Sequence, residues 1–308
     1  MRLRGLDINL LICLDALLSE KNVSRAAEKT CRSQSAMSHS LARLRAIFED
    51  ELLTQVGRKL VTTALGNELA APVRKLLLQF DALALIGAGF DIAKVEKTIT
   101  IMATDYSGTV FFPELVRRVA AQAPGLRLHL RHTEQQWPEL LERGEIDMIV
   151  LPQPFVLASQ PHERLFSDQH QCIAWTGNSV LSGDTISREQ YASMGHVLLE
   201  YAGGRTPTVN EYLLRQLGIT RRAECVAPHF TQIPFMVAGT DRIATVPRRV
   251  AFMSSKYLPL KLLAMPVELP PLEMAVQYHQ YQELDPVLGW LRAEMRAVGV
   301  SLDYLPAA

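Results

Sequence analysis

Cysteine is scarce in this chain of 308 residues, with four at Cys13, Cys31, Cys172 and Cys225. None stands at CxxC spacing to another, which excludes a zinc ribbon and a disulfide framework and fits reduced thiols in the cytoplasm. An excess of one charge is also missing, with 32 basic against 32 acidic residues. Any attraction to nucleic acid must therefore be local. No apolar run approaches the roughly 18 residues of a membrane span. The apolar N-terminal stretch is interrupted by Asp7, Asn9 and Asp15 and has no small-residue cleavage site, so it is not a signal peptide. Catalytic spacings are lacking too. There is no HExxH, Walker loop or GxGxxG, and no GxSxG elbow surrounds Ser107, which could otherwise be strung to His132 and Asp147 as a triad. The eight histidines are dispersed, so neither a metal nor a cofactor is expected.

What is present concentrates first in the N-terminal sixty residues. Asp7 to Ser19 reads as an amphipathic helix with Leu10, Leu14, Leu17 and Leu18 on one face. After the polar "EKNVS", Ser24 is the expected cap of a short helix in which Ala26 and Ala27 allow close helix approach. "TCR" breaks the chain, and Ser33 caps a third helix running to about Phe48. Met37, Leu41, Leu44 and Phe48 form its apolar stripe. Gln34, Ser35, Ser38 and His39 fall on another side. They are short or hydrogen-bonding groups suited to base edges in a major groove. Between residues 21 and 48 six basic residues, Arg25, Arg32 and Arg43 among them, face one acid, Glu28. Such a patch attracts phosphate. "ELLTQVGRKLVTT" then reads as a hairpin, a wing with Arg58 and Lys59 at its tip.

Thr63 caps a long helix in which Leu69, Val73, Leu76, Phe80 and Leu83 repeat at 4, 3, 4, 3. That is a dimer seam of about two heptads. From Thr98 strands alternate with helices, which implies parallel sheets with covered faces. Ligands in such sheets bind at the carboxyl ends of strands. The rule selects Thr104, Tyr106 and Ser107, then His132 and Thr133, Tyr201, and the "VPRR" run, with Phe230 as an apolar wall. Hydroxyls, an imidazole and an Arg in one crevice would suit an anionic or phenolic ligand.

The blocks "GLDINLL", "SRAAEKT", "SQSAMSHSLARLR", "DELL", "VGRKLVTT" and Gly66 resemble the LysR-type transcriptional regulators. "LERGEIDMIV", "SMGHV" and "GTDRIATVPRRVA" extend the resemblance over nearly the whole chain, closest to the branch of nodulation regulators and regulators of aromatic degradation. It implies an α/β protein with an N-terminal winged helix-turn-helix at 1–62, a linker and dimerisation helix at 63–89, and an effector domain at 90–308. The effector domain would have two α/β lobes like a type 2 periplasmic binding protein, 98–164 with 268–308, and 165–267. It also implies a double-stranded DNA operator, a small-molecule effector, and self-association as a dimer and tetramer, and it admits RNA polymerase as a further partner. The family's base-reading positions map onto Gln34, Ser35, Ser38 and His39, beside Ser33, and its cleft-facing Arg maps onto Arg249. Ser35 stands where the family commonly has Pro. Thr30 and Arg32 stand where apolar residues brace the turn, and Gln55 where an Arg meets phosphate. The alternatives are a constitutive regulator with a vestigial cleft and a binding-protein-fold enzyme carrying a DNA-binding segment.

Overall fold

The computed structural model describes residues 6–57, 59–87, 90–183, 185–200 and 208–304, with side chains for all of these except 81–87 and 304. The chain divides into two compact units. One holds the residues up to Phe90 with 139–145 and 281–288, and the other holds 91–138, 146–280 and the chain from Gly289.

The first unit begins with α1 (Ile8–Glu20), capped by Asp7, whose carboxylate accepts from the Leu10 N–H. Helix α2 (Val23–Lys29) is capped by Asn22 rather than Ser24. Lys21 takes a left-handed turn that closes α1, so the next extended residue, Asn22, is the one placed to cap. Ser33 caps α3 (Gln34–Phe48), accepting from the Ala36 N–H. Leu14, Leu17, Ala26, Ala27, Met37, Leu41 and Leu44 share one buried core. Strands β1 (Leu53–Val56) and β2 (Lys59–Thr62) make the hairpin, with Gly57 at φ +62° in its turn. Helix α4 (Ala64–Gly87) is 24 residues long, about 36 Å. Thr63 opens it, accepting from the Gly66 N–H. Gly66 is required there, since a Cβ would sit 2.6 Å from the Leu52 carbonyl oxygen.

The expected seam on α4 does not run as one stripe. Val73 is buried in the core of its own domain, and Leu69 packs against that core. The physical reason is that the first turns of α4 lie against α1, which claims their apolar face. Leu76 and Phe80 are left outward, 46% and 49% exposed. The Leu83 side chain lies outside the described residues.

The second unit carries two five-stranded sheets. After β3 (Lys97–Ala103) come α5 (Asp105–Val110), α6 (Phe112–Gln122), β4 (Leu126–His132), α7 (Trp137–Glu142), β5 (Met148–Pro152) and β6 (His162–Asp168). The second sheet follows with β7 (His170–Trp175), α8 (Arg188–Ser193), β8 (Gly195–Leu199), α9 (Val209–Gln216), β9 (Arg222–Ala227), α10 (Ile233–Val237), β10 (Ile243–Pro247), α11 (Arg248–Ser255) and β11 (Leu260–Leu263). The chain then returns to the first sheet as β12 (Leu272–Tyr278) and ends in α12 (Pro286–Tyr304).

The strand orders are β4-β3-β5-β12-β6 and β11-β7-β10-β8-β9. Neither sheet is wholly parallel. β12 runs antiparallel to β5 and β6, and β7 antiparallel to β10 and β11. The two crossings between sheets reverse the strand direction. β6 pairs with β12, so residues 165–168 lie in the first lobe and the chain crosses at Gln169, later than expected. The run "HERLFSDQHQCIAW" carries no Gly or Pro to mark that crossing.

Candidate nucleic-acid interface and effector cleft

Helix α3 presents two unlike faces. Met37, Ser40, Leu41 and Leu44 are buried, and Ser40 is pinned by donating to the Ala36 carbonyl at 3.0 Å. Gln34, Ser35, Ser38, His39 and Ala42 are all exposed. Ser35 Oγ lies 3.0 Å from Ser33 Oγ, while Gln34, Ser38 and His39 have no hydrogen-bond partner among the described residues. A start without Pro is therefore still fixed, because Ser33 supplies the cap. The turn between α2 and α3 is closed by polar bonds. Thr30 Oγ1 donates to the Ala26 carbonyl at 2.9 Å, Cys31 takes φ +52°, and the Arg32 guanidinium donates to Asn9 Oδ1 at 3.2 Å.

The cationic patch is weaker than its sequence window suggests, because acids outside the window reach into it. Lys29 pairs with Glu20 at 3.1 Å, Arg25 lies 3.7 Å from the same carboxylate, and Arg43 lies 4.0 Å from Asp7. Arg45 has a structural role, bonding to the Glu51 and Leu53 carbonyls and so fastening α3 to β1. Lys59 is exposed beside the turn, and Arg58 lies outside the described residues. Gln55 donates to the Gly57 carbonyl at 3.1 Å, so it holds the hairpin tip.

In the second unit a cleft lies between the two sheets' lobes. Thr104, Tyr106, Pro152, Phe155, Leu272 and Met274 line it from one lobe, and His170, Thr208, Val209, Asn210, Phe230 and Pro247 from the other. It encloses about 30 Å³, the room of roughly two waters. A clasp joins the lobes beside it. Asp105 Oδ2 accepts from the Thr231 N–H at 2.8 Å and its hydroxyl at 3.0 Å. The Tyr106 ring meets Phe230 edge-on at 6.2 Å, again from one lobe to the other.

Of the residues expected here, Thr104, Tyr106 and Phe230 line the cleft. Thr104 Oγ1 also caps α5, accepting from the Ser107 N–H, and Ser107 is wholly buried behind it. His132 faces solvent, edge-on to His229 at 5.0 Å, and Thr133 does not reach the lining. Tyr201 lies outside the described residues. Arg249 is not a cleft residue. Its guanidinium donates to the Leu302 carbonyl near the end of α12 at 2.7 Å, and its Nε lies 3.9 Å from Asp168. A carbonyl near a helix end and a buried carboxylate hold it there. Arg248 turns to Gln169. Asp168 also accepts from the Tyr106 hydroxyl at 2.7 Å. Burial pushes the Asp168 carboxyl up from its ordinary range, against the bonds from Tyr106 and the Gln169 N–H and the charge of Arg249.

The strand-end rule missed His170, Leu272 and Met274 for a physical reason. They lie at the amino ends of β7 and β12, which run antiparallel. His170 therefore pairs with Pro247 at the carboxyl end of β10, and Met274 with Pro152 at the carboxyl end of β5. Burial, with Arg221 adding to it, pulls the His170 imidazole down to about 4. Arg221 is itself buried and paired with Glu211. His196, buried in the same lobe and bonded to the Tyr191 carbonyl at 2.7 Å, is also pulled down to about 4 by burial.

A capped helix-turn-helix with a wing, followed by a two-lobed α/β domain with a cleft, defines a DNA-binding regulator with a ligand-binding domain. Residues 8–67 match the bacterial regulatory helix-turn-helix protein model of the lysR family, and residues 93–299 match the LysR substrate binding domain. Nodulation protein D 2 of Rhizobium tropici is 39% identical over 308 residues, all of this chain and 97% of that one. A probable transcriptional regulator of Pseudomonas aeruginosa, solved as a crystal structure, is 28% identical with a TM-score of 0.70, covering 96% of this chain and 98% of that one. Full-length OxyR of the same organism shares the fold at a TM-score of 0.77 and 18% identity, over 96% and 97% of the two chains. The chain belongs to the LysR-type transcriptional regulators. It is a DNA-binding transcriptional regulator with an effector-binding domain, not an enzyme.

Proposed function

We propose that α3 lies in the major groove of an operator, with Gln34, Ser35, Ser38 and His39 at base edges and Ser33 at the helix start. Arg25, Arg32, Arg43 and the wing residues Arg58 and Lys59 meet phosphates. The observation that carries this reading is the contrast across α3: one face is buried, and on the other Gln34, Ser38 and His39 are exposed and unpartnered among the described residues. Phosphate contacts set register while base contacts set sequence. Arg25 and Arg43 would exchange intramolecular carboxylates for phosphates on binding.

Self-association follows from the same reading. Leu76 and Phe80 on α4 are the apolar pair left for a second copy, since Val73 and Leu69 pack into their own domain's core. Val226, Phe235 and Met236 are exposed on the second lobe and support a further contact between effector domains, and so a tetramer. The division at 1–62, 63–89 and 90–308 serves this scheme. The protein acts in the cytoplasm, a reading supported by four free thiols and by the lack, among the described residues, of a helix long and apolar enough to cross a membrane. RNA polymerase is the further partner that an activator would need.

The effector acts by binding one lobe arrangement better than another, which shifts the DNA-bound state. Footprinting of the intergenic DNA upstream of this chain's gene, with and without aromatic compounds, tests the scheme. Protection of two half-sites that changes with compound is expected. Protection blind to every compound would favour the constitutive alternative, and absence of protection would contradict an operator there.

A further inference from the structure

The wing is too short to hold its own position. Its two strands have four residues each, and in β1 only Leu53 is buried. A two-stranded hairpin is marginal by itself in water. What aims it is the turn at 49–53 that joins it to α3. Glu49 and Leu52 both take left-handed backbone there, at φ +52° and +59°, although neither is Gly. Such residues persist only where their surroundings over-determine them. Two charged side chains do so here. The Asp50 carboxylate accepts from the Leu52 N–H at 2.6 Å and from the Thr63 hydroxyl, just past β2, at 2.7 Å. The Thr63 hydroxyl and then the Leu52 N–H hold that carboxyl below its ordinary range. Arg45 grips the turn from α3. Its Nε donates to the Glu51 carbonyl and its Nη2 to the Leu53 carbonyl, each at 2.9 Å, and Nη2 also lies 2.9 Å from the Glu51 carboxylate.

Arg45 stands on the side of α3 that carries Ser38, seven residues further on and about 10 Å along the axis. The face that offers side chains to bases therefore ends in the group that holds the root of the wing. A planar guanidinium can span two carbonyls, whereas a lysine ammonium is a single point charge. The Glu51 carboxylate also faces this charge, which sets Arg45 apart from the cations free for phosphate.

We propose that Arg45 is a positioning residue for operator binding: it fixes the aim of the wing relative to α3, so that the base-reading helix and the phosphate-binding wing meet DNA as one body. This rests on the reading of α3 and the wing as the DNA surface and assigns the joint between them. Arg45 itself touches no phosphate in this scheme.

The test is a set of anisotropy titrations of the full chain on the footprinted operator over a range of salt. Lys59→Ala is made both in the wild type and in Arg45→Met. In the wild type it should lower the salt slope by about one per subunit. Arg45→Met should lower the slope by about two, because Arg58 and Lys59 leave the backbone together. Lys59→Ala should then change nothing further. Arg45→Lys should behave as Arg45→Met does. Gln34→Ala should still weaken operator binding about tenfold in the Arg45→Met chain, since α3 keeps its own core. An equal effect of Lys59→Ala in both backgrounds would overturn the assignment and leave the wing standing as a DNA contact. Full affinity in Arg45→Lys would overturn it too, and would make Arg45 a direct phosphate ligand. Loss of the Gln34 effect along with that of the wing would mean that Arg45 supports the whole N-terminal unit, which also overturns it. No effect of Lys59→Ala in the wild type would overturn the reading of the wing on which the assignment rests.

Discussion

The exposed face of α3 and the interlobe cleft both carry uncharged polar side chains and an imidazole, with Gln34, Ser38 and His39 on the one and Thr104, Asn210 and His170 in the other, yet they treat them in opposite ways. On α3, Gln34, Ser38 and His39 stand in solvent with their hydrogen-bonding capacity unused, while the helix is held from its other side by Met37, Leu41 and Leu44. In the cleft, Thr104, Tyr106, Thr208 and Asn210 bond within the protein, and among the described lining residues only Nε2 of His170 is left over. A surface that reads a polymer must offer many groups at once, and water satisfies them until the polymer arrives. A buried cleft has no such reserve of water, so each idle polar atom is costly and few are tolerated.

The largest effect expected is on the α3 side, because two recognition helices act together only if α4 pairs. Leu76→Glu with Phe80→Glu should weaken binding to a two-half-site operator about 100-fold or more. Sedimentation should show loss of the dimer through α4. An intact dimer with unchanged operator affinity would mean that Leu76 and Phe80 are ordinary exposed residues.

Acid separates the two regions next. His170 and His196 are both pulled from 6.5 to about 4, whereas the N-terminal unit holds a single histidine, the exposed His39. As pH falls below 6.5 the unfolded chain takes up a proton on each imidazole, and the folded chain resists until about 4. The unfolded state then binds more protons, so stability is full above 6.5 and declines towards 4. At pH 5 the loss is about 2 kcal/mol per imidazole. Trp137, Trp175 and Trp290 all belong to the effector unit, so urea unfolding followed by their fluorescence reports it directly. Equal midpoints at pH 7 and pH 5 would contradict the burial assigned to these rings.

Arg249→Ala removes a charged bond to Leu302 and a neighbour of buried Asp168, and should cost about 2 kcal/mol of effector-domain stability. Thr104→Val removes the cap of α5 and should cost about 1 kcal/mol. Both changes should leave operator affinity in the absence of effector nearly unchanged, as read by anisotropy titration. Unchanged stability in Arg249→Ala, with loss of the ligand-dependent footprint, would return Arg249 to the ligand contacts that the sequence alone suggested. Smallest of all, Arg32→Ala should weaken operator and random DNA alike and lower the salt slope by about one. A selective loss at the operator would make Arg32 a base reader.

Much of the DNA-binding half was legible in the sequence, because caps, apolar stripes and a hairpin turn are local signals. Ser33, the 4-3-4 spacing from Met37 to Phe48 and Gly57 each act within a few residues. Ser24 failed as a cap because Lys21 could adopt a left-handed turn that no pattern announced. Leu69 and Val73 failed as seam residues because a heptad says which face is apolar and not what covers it. The cleft was legible only where strands run parallel. Thr104 and Phe230 came from the strand-end rule or from apolar character, whereas His170 and Met274 depend on antiparallel strands made when the chain crosses between sheets. Partners across the fold took Arg249, and nothing near it in sequence names Leu302 or Asp168.

The central claim is that exposed side chains of α3 read bases, and Gln34→Ala tests it most directly. Fluorescence anisotropy titrations of wild type and variant would be run on the footprinted operator and on random DNA of equal length and salt. The account predicts a loss of about 1–3 kcal/mol on the operator and almost none on random DNA, since Gln can bond a base through two hydrogen bonds but adds nothing to phosphate attraction. An equal loss on both DNAs, or no loss on either, would contradict it.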